Sequence, residues 1–130
     1  MDDQGAAPFC YLTTTGRVSG RPHTIEIWFA RQGGTLYLLS GGGDRSDWVR
    51  NLLARPEVTV RLGRRDRPAV AGRARVVEPG SDEDELARRL VTAKYQPGYG
   101  GDLSGWRRSS LPVAVDLDRG AGEAGGDGGR

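Results

Sequence analysis

HTIEIWFARQGGTLYLLS, residues 23–40, decides the fold. His23, Ile25, Ile27 and Phe29 alternate with Thr24, Glu26, Trp28 and Ala30, the two-residue period of a strand with two unlike faces. Gln32-Gly33-Gly34 reads as a hairpin turn, and TLYLLS, Thr35 to Ser40, returns as the next strand. Upstream, Phe9 to Thr14 reads as a first strand. Downstream, Val58 to Leu62 and Ala69 to Val77 form a second hairpin around the polar residues Gly63 to Pro68. Gly72 suggests a bulge or a bend at a barrel corner. Leu111 to Leu117 supplies the last strand. Six short strands joined mostly by hairpins predict a mainly β (α+β) chain, closed or nearly closed as an antiparallel barrel rather than a parallel sheet.

Two to three short helices interrupt this pattern. Ser46 or Asp47 can cap Trp48 to Ala54, which stops ahead of Pro56. Ser81 caps a second helix, with Asp84 three residues on as an imperfect capping box. Leu86, Ala87, Leu90 and Val91 give that helix an apolar stripe, and Asp82 to Glu85 put negative charge at its start. The glycine-rich PGYGGDLSG then leads to Trp106. From Asp118 onward six of thirteen residues are glycine, so a single barrel domain, 1–117, followed by a disordered tail, 118–130, is expected.

Composition narrows the function. The 130 residues are 36% hydrophobic and 28% charged, ordinary for a globular domain. No apolar run is long enough for a membrane span. The MDDQGAAPFC start has two acids and no basic segment, so a secretory signal is not expected and the chain reads as cytoplasmic. One cysteine, Cys10, and one histidine, His23, supply metal chemistry poorly; no metal is expected, and Cys10 reads as a buried structural thiol. Lys94 is the single lysine among 19 basic residues. Arginine forks suit carboxylate and phosphate, although genome composition explains such a bias equally well. Six arginines lie between Arg61 and Arg75 against one acid, Asp66, in one hairpin without interleaved aromatics. They read as a solvated turn, and nucleic acid is not an expected partner.

Two stretches bear on chemistry. TTTGRVSGRP, Thr13 to Pro22, gathers hydroxyls, glycines and arginines at a strand end. Its glycines could turn backbone N–H groups toward an anion as a small nest, with Arg17 and Arg21 supplying charge and Thr14, Thr15 and Ser19 donating. A solvated hairpin turn is the plainer reading of the same residues. GGGDRSDWVRN, from Gly41, suits close approach by a planar ring or a phosphate. It is neither a P-loop nor a dinucleotide fingerprint, since GK[ST] and GxGxxG are both absent.

TTTGRVSGRPHT, IWFARQGGTLYLLSGGG and DWVRNLLARPEVTVRLG, in that order, resemble the deazaflavin-dependent nitroreductase and quinone-reductase family. The resemblance runs from about Tyr11 to Leu117. It implies a six-stranded split β-barrel related to the flavin-binding pyridoxamine-phosphate oxidases. It further implies binding of reduced coenzyme F-420, whose tail carries a phosphodiester and glutamates, and hydride transfer to a quinone-like or nitroaromatic acceptor. By that likeness Thr14, Thr15, Gly16, Arg17, Ser19, Gly20 and Arg21 would grip the tail. The backbone of Ile27, Trp28 and Phe29 and of Ser40, Gly41 and Gly42 would flank the ring, with Trp48 and Asn51 near by. Tyr95 and Tyr99, with Trp106, lie where family members place residues over the substrate, although core or lid packing accounts for them as well. Such chemistry is largely the cofactor's, which agrees with the lack of an acid–base triad.

This chain departs from the family pattern at several points. Val18 stands where a lysine is usual, and His23 and Glu26 replace an arginine and a proline. Glu26 either bonds Arg73 or Arg75 across the barrel or lines the pocket as a catalytic candidate. An FMN-binding split-barrel flavoprotein and a non-catalytic ligand-binding barrel remain alternatives. The protein is expected to act as a monomer or a homodimer on a small-molecule acceptor.

Overall fold

A computed structural model describes residues 6–118. The expected Gly-rich tail, Asp118 apart, lies outside the described residues. The strands are β1 (Cys10–Thr15), β2 (Pro22–Ile27), β3 (Ala30–Gln32), β4 (Thr35–Ser40), β5 (Glu57–Leu62), β6 (Val70–Val76) and β7 (Leu111–Leu117). They form one antiparallel sheet in the order β2-β1-β5-β6-β7-β4-β3. The two edge strands follow each other directly in the chain. Only Trp28 and Phe29 separate them, so the sheet curls until its two ends meet at one corner, the geometry of a split barrel.

The count of seven rather than six comes from that corner. The continuous strand expected from His23 to Arg31 breaks at Trp28-Phe29, because β2 pairs with β1 while β3 pairs with β4. The Phe29 N–H donates to Tyr95 Oη at 3.1 Å, and the Phe29 carbonyl accepts from Lys94 Nζ at 2.9 Å. These bonds replace the ladder partners a continuous strand would have had.

Alternation within the strands sorts the side chains into two cores. Leu12, Leu36, Leu38, Val60, Val113 and Val115 point into the barrel around Phe29, and Val49 and Leu52 of α1 (Asp47–Ala54) plug one mouth. Tyr37, Leu39 and Ala114 point outward, where Ala87 and Val91 of α2 (Asp82–Tyr95) cover them. Ser81 caps α2 as its sequence indicates: its Oγ accepts the Asp84 N–H at 3.1 Å. The Asp84 carboxylate accepts from Gly80 N and from Arg88.

Gly72 does not mark a bulge. The β5–β6 register runs unbroken from Glu57↔Arg73 to Val60↔Val70. A Cβ on Gly72 would lie 2.9 Å from the Asp116 carbonyl oxygen, so glycine is needed for the close approach of β7. The loop before Trp106 is also more ordered than its glycines suggest, holding a 3-10 turn at Gln96–Gly98 and α3 (Ser104–Ser109), which carries Trp106. Among the described residues, no helix is long and apolar enough to cross a membrane.

Candidate functional site

At the end of β1 the chain turns tightly before re-entering as β2. Gly16 N–H donates to the Arg21 carbonyl at 2.8 Å, Gly20 N–H to the Gly16 carbonyl at 2.9 Å, and Arg21 N–H to Ser19 Oγ at 3.1 Å. Gly20 has φ +75, which non-glycine residues adopt at a cost. The turn is tied to α1 through Asn51, a buried amide. Asn51 Oδ1 accepts both the Arg17 backbone N–H at 3.1 Å and Arg17 Nη1 at 2.8 Å. Asn51 Nδ2 donates to Thr14 Oγ1 at 3.2 Å. Arg17 Nη2 reaches Asp47 Oδ1 at 3.3 Å, a carboxylate whose side chain is 85% exposed.

These ties frame a cleft of about 480 Å³ at the barrel mouth. It is lined by Thr14, Gly16, Arg17, Val18 and Ser19 from the turn, His23, Thr24 and Ile25 from β2, and Asp47, Trp48 and Asn51 from α1. Of the residues singled out in the sequence, Thr14, Gly16, Arg17, Ser19, Trp48 and Asn51 therefore come together. Thr15 does not. It faces the other side of β1 and lines a second groove with Thr13, Thr59 and Arg73. Gly20 and Arg21 are exposed outside the cleft.

The expected backbone nest is absent at Gly16, Arg17, Gly20 and Arg21, whose N–H groups are all taken within the protein. The donors that line the cleft are therefore side chains, among them the Arg17 guanidinium, the Ser19 hydroxyl and the His23 ring. This donor set, beside the apolar Ile25 and Trp48, fits a ligand with an anionic and a planar apolar part. His23, Thr24, Ile25 and Asp47 were not singled out as binding residues. Their shared period with Thr14 across the β1–β2 pair is the signal that places two of them, since His23 lies opposite Thr14 and Ile25 opposite Leu12.

The remaining residues gather elsewhere. Ile27, Trp28 and Phe29 form the barrel corner, where Phe29 is fully buried. Trp28 stacks on Tyr95 with ring centroids 4.2 Å apart and planes 3° from parallel, and meets Tyr99 and Trp106 edge-on at 5.9 and 5.7 Å. The Tyr95 hydroxyl accepts from Phe29 N and lies 2.8 Å from the Pro8 carbonyl and 3.1 Å from that of Phe29, both of which its O–H can reach. Burial pushes its pKa up to about 12. Tyr95 thus latches the corner, while Tyr99 is exposed beside Trp28. Ser40 is buried, with its Oγ donating to the Gly43 carbonyl at 3.0 Å. Gly41 and Gly42 are exposed, but the side of each that a Cβ would occupy is filled by Trp106 and Ser46 respectively.

Glu26 is exposed on the outer face of β2, opposite Tyr11, and does not line the cleft. Nor does it bond either arginine considered for it: Arg73 pairs with Glu57 at 2.7 Å, and Arg75 with Glu83 and Asp116. Cys10 is buried, and burial pushes its thiol up to about 12, the state of an inert core thiol. Burial also brings Lys94 down to about 8 beneath the Phe29 ring, with its Nζ 3.6 Å from the ring centroid. No group of three or more metal-binding side chains occurs among the described residues. The arginine hairpin, which holds no aromatic of its own, meets one ring from β1. Arg65 lies over the Tyr11 ring at 4.6 Å, and Arg64 pairs with Asp66 at 2.8 Å.

The family model described as F-420H2-dependent quinone reductase matches residues 4–118. The chain belongs to this family. F-420H2-dependent quinone reductases from two strains of Mycobacterium tuberculosis are each 42% identical to it over 115 residues, covering 85% of this chain and 72% of theirs. Among solved structures, an F-420H2-dependent reductase superposes with a TM-score of 0.62 at 24% identity, covering 85% of this chain and 94% of that one. A FAD-binding protein from Mesorhizobium loti gives 0.62 at 18%, covering 89% and 85%. At these identities the structural neighbours share the split-barrel fold; the activity is carried by the family match.

Proposed function

We propose that this family member is a reductase that holds the anionic tail of reduced F-420 in the cleft between the Thr13–Pro22 turn and α1. In this reading the acceptor is a small quinone-like or nitroaromatic molecule. The observation that carries the tail site is the fork at Asn51, where one side chain binds Arg17 through both its backbone and its guanidinium and also holds Thr14. Two segments far apart in the chain, the turn after β1 and α1, are thereby fixed around one cation. A preorganised cation of this kind binds an anionic oxygen with little ordering cost.

When bound, the reduced deazaflavin supplies the hydride. The protein's part is placement: Arg17 and Ser19 hold the anionic end, Ile25 and Trp48 offer apolar surface beside it, and the corner aromatics Trp28, Tyr99 and Trp106 give a planar acceptor something to stack on. No side chain in the cleft is needed as a general acid or base for the hydride step.

The test is a titration of the purified protein with F-420 and with FMN, followed by fluorescence. Reoxidation of the reduced coenzyme by menadione and by a nitroimidazole is then measured. Binding of F-420 with turnover of at least one acceptor is expected. Tight FMN binding without F-420 binding would overturn the coenzyme assignment, and F-420 binding with no acceptor reduction would leave a carrier rather than an enzyme.

A further inference from the structure

We propose that His23 is a ligand-binding residue of the cleft, its protonated ring joining Ser19 to hold the anionic group with a charge that Arg17 alone does not supply. The inference rests on the cleft being the coenzyme-tail site.

The charge inventory of the cleft motivates it. Its charged lining residues are Arg17, from the turn, and Asp47, from α1, and these two face each other at 3.3 Å. The lining thus carries one cation and one exposed acid, so a second positive group would strengthen its hold on a phosphodiester or carboxylate. Arg21, the other arginine of the turn, lies outside the lining. From β1 the residue opposite His23 is the uncharged Thr14, and on β2 itself the nearest acid, Glu26, is exposed on the outer face. Among the described residues, His23 is the only further group lining the cleft that can become positive.

Geometry places its ring where it can act. A Cβ added to Gly16 would lie 2.7 Å from His23 Nε2 and 2.6 Å from Ser19 Oγ. Two polar atoms from different segments therefore converge over one glycine, and any side chain at position 16 would displace them. Ser19 Oγ already accepts the Arg21 N–H, so its own proton is available to a ligand oxygen. Imidazole is the side chain that ordinarily exchanges its charge between pH 5 and 8.

The experiment compares F-420 with a tail-less deazaflavin as fluorescence ligands at pH 5.5 and 8, on wild type, His23→Gln and His23→Arg. Any ionisation of the ring is common to both ligands and cancels in their affinity ratio. For wild type, the preference for F-420 over the tail-less ligand should fall by about tenfold between pH 5.5 and 8, the scale of one charge-assisted hydrogen bond. His23→Gln should show the low preference at both pH values, and His23→Arg the high one. A pH dependence in His23→Gln equal to that of wild type would overturn the inference and leave the coenzyme reading intact. Failure of every variant to bind F-420 at either pH would instead overturn the coenzyme reading, and this inference with it.

Discussion

Arg17 and Arg75 each face carboxylates, yet the two are held in opposite ways. Arg75, on the outer face of β6, makes bonds of 2.7–2.8 Å to Asp116 and to both oxygens of Glu83. Thr35 and Tyr37 bond the same two acids at 2.9 and 2.8 Å. Arg75 holds the Glu83 and Asp116 carboxyls below their usual range, and its own pKa is raised in return. Arg17 has its short contact, 2.8 Å, with a neutral amide oxygen, while its carboxylate neighbour is 3.3 Å away and mostly in water. The first arginine is saturated and fastens α2 to the sheet. The second is positioned but not neutralised at close range, which leaves it able to take an external anion.

The largest expected effect breaks the open member of this pair. Arg17→Ala keeps the backbone bond from residue 17 to Asn51, so the turn should stay tied to α1 while the cation is lost. Charge-assisted hydrogen bonds contribute about 1.5–3 kcal/mol, so F-420 should bind roughly tenfold to a hundredfold more weakly. A tail-less deazaflavin should be little affected, and the melting temperature should hold. Equal losses for the two ligands would mean that the turn has no part in the tail site.

Arg75→Met should do the reverse, leaving coenzyme affinity unchanged and lowering stability. Arg75 and Asp116 are nearly half exposed, so solvent screening keeps each ion pair near about 0.5–1 kcal/mol. A total loss of about 1–2 kcal/mol is expected, read as a lower urea midpoint at constant slope. A stability unchanged within error would show that the network is decoration on the outer core.

Acid sharpens the same contrast. Glu83 and Asp116 have folded-state pKa values below their unfolded values, so their contribution is present above about pH 4 and lost as pH falls through the folded values. Urea midpoints measured from pH 7 to pH 3 should decline, and about 1 kcal/mol of that decline should be missing in Arg75→Met. Parallel profiles for the two proteins would place the acid sensitivity elsewhere, for example at Asp84, whose carboxyl lies low through its bonds to Gly80 and Arg88 against the opposing effect of burial.

These two regions were not equally legible in the sequence. Arg17 and Asn51 stood out because they sit in recognisable segments, but their meeting spans 34 positions and needed the barrel to close. Thr15 drops out of the cleft by the period of a strand, since adjacent Thr14 and Thr15 must face opposite sides. The Trp28-Phe29 corner was hidden for the converse reason. Alternation continues through it from His23 to Ala30, while the groups that bend it, Lys94 and Tyr95, lie 65 and 66 residues away. The Arg75 network was equally hidden, because TLYLLS is apolar on both faces and does not show which of its residues looks toward α2. Binary pattern gave the strands; partner choice at long range set the corner and the ion pairs.

The smallest expected effect concerns the residue that sequence reading could place on either side of the comparison. Glu26 lies outside both the Arg17 cleft and the Arg75 network, on an exposed face of β2. Glu26→Gln should therefore leave F-420 affinity, acceptor turnover and the urea midpoint all within about 0.5 kcal/mol of wild type, as for an ordinary surface substitution. A clear change in turnover with stability preserved would contradict this placement. The cleft of one chain does not reach Glu26, so such a result would mean that the outer face of β2 meets the reacting molecules in some other way, and a second copy of the chain across that edge strand would be the first arrangement to test by measuring mass in solution.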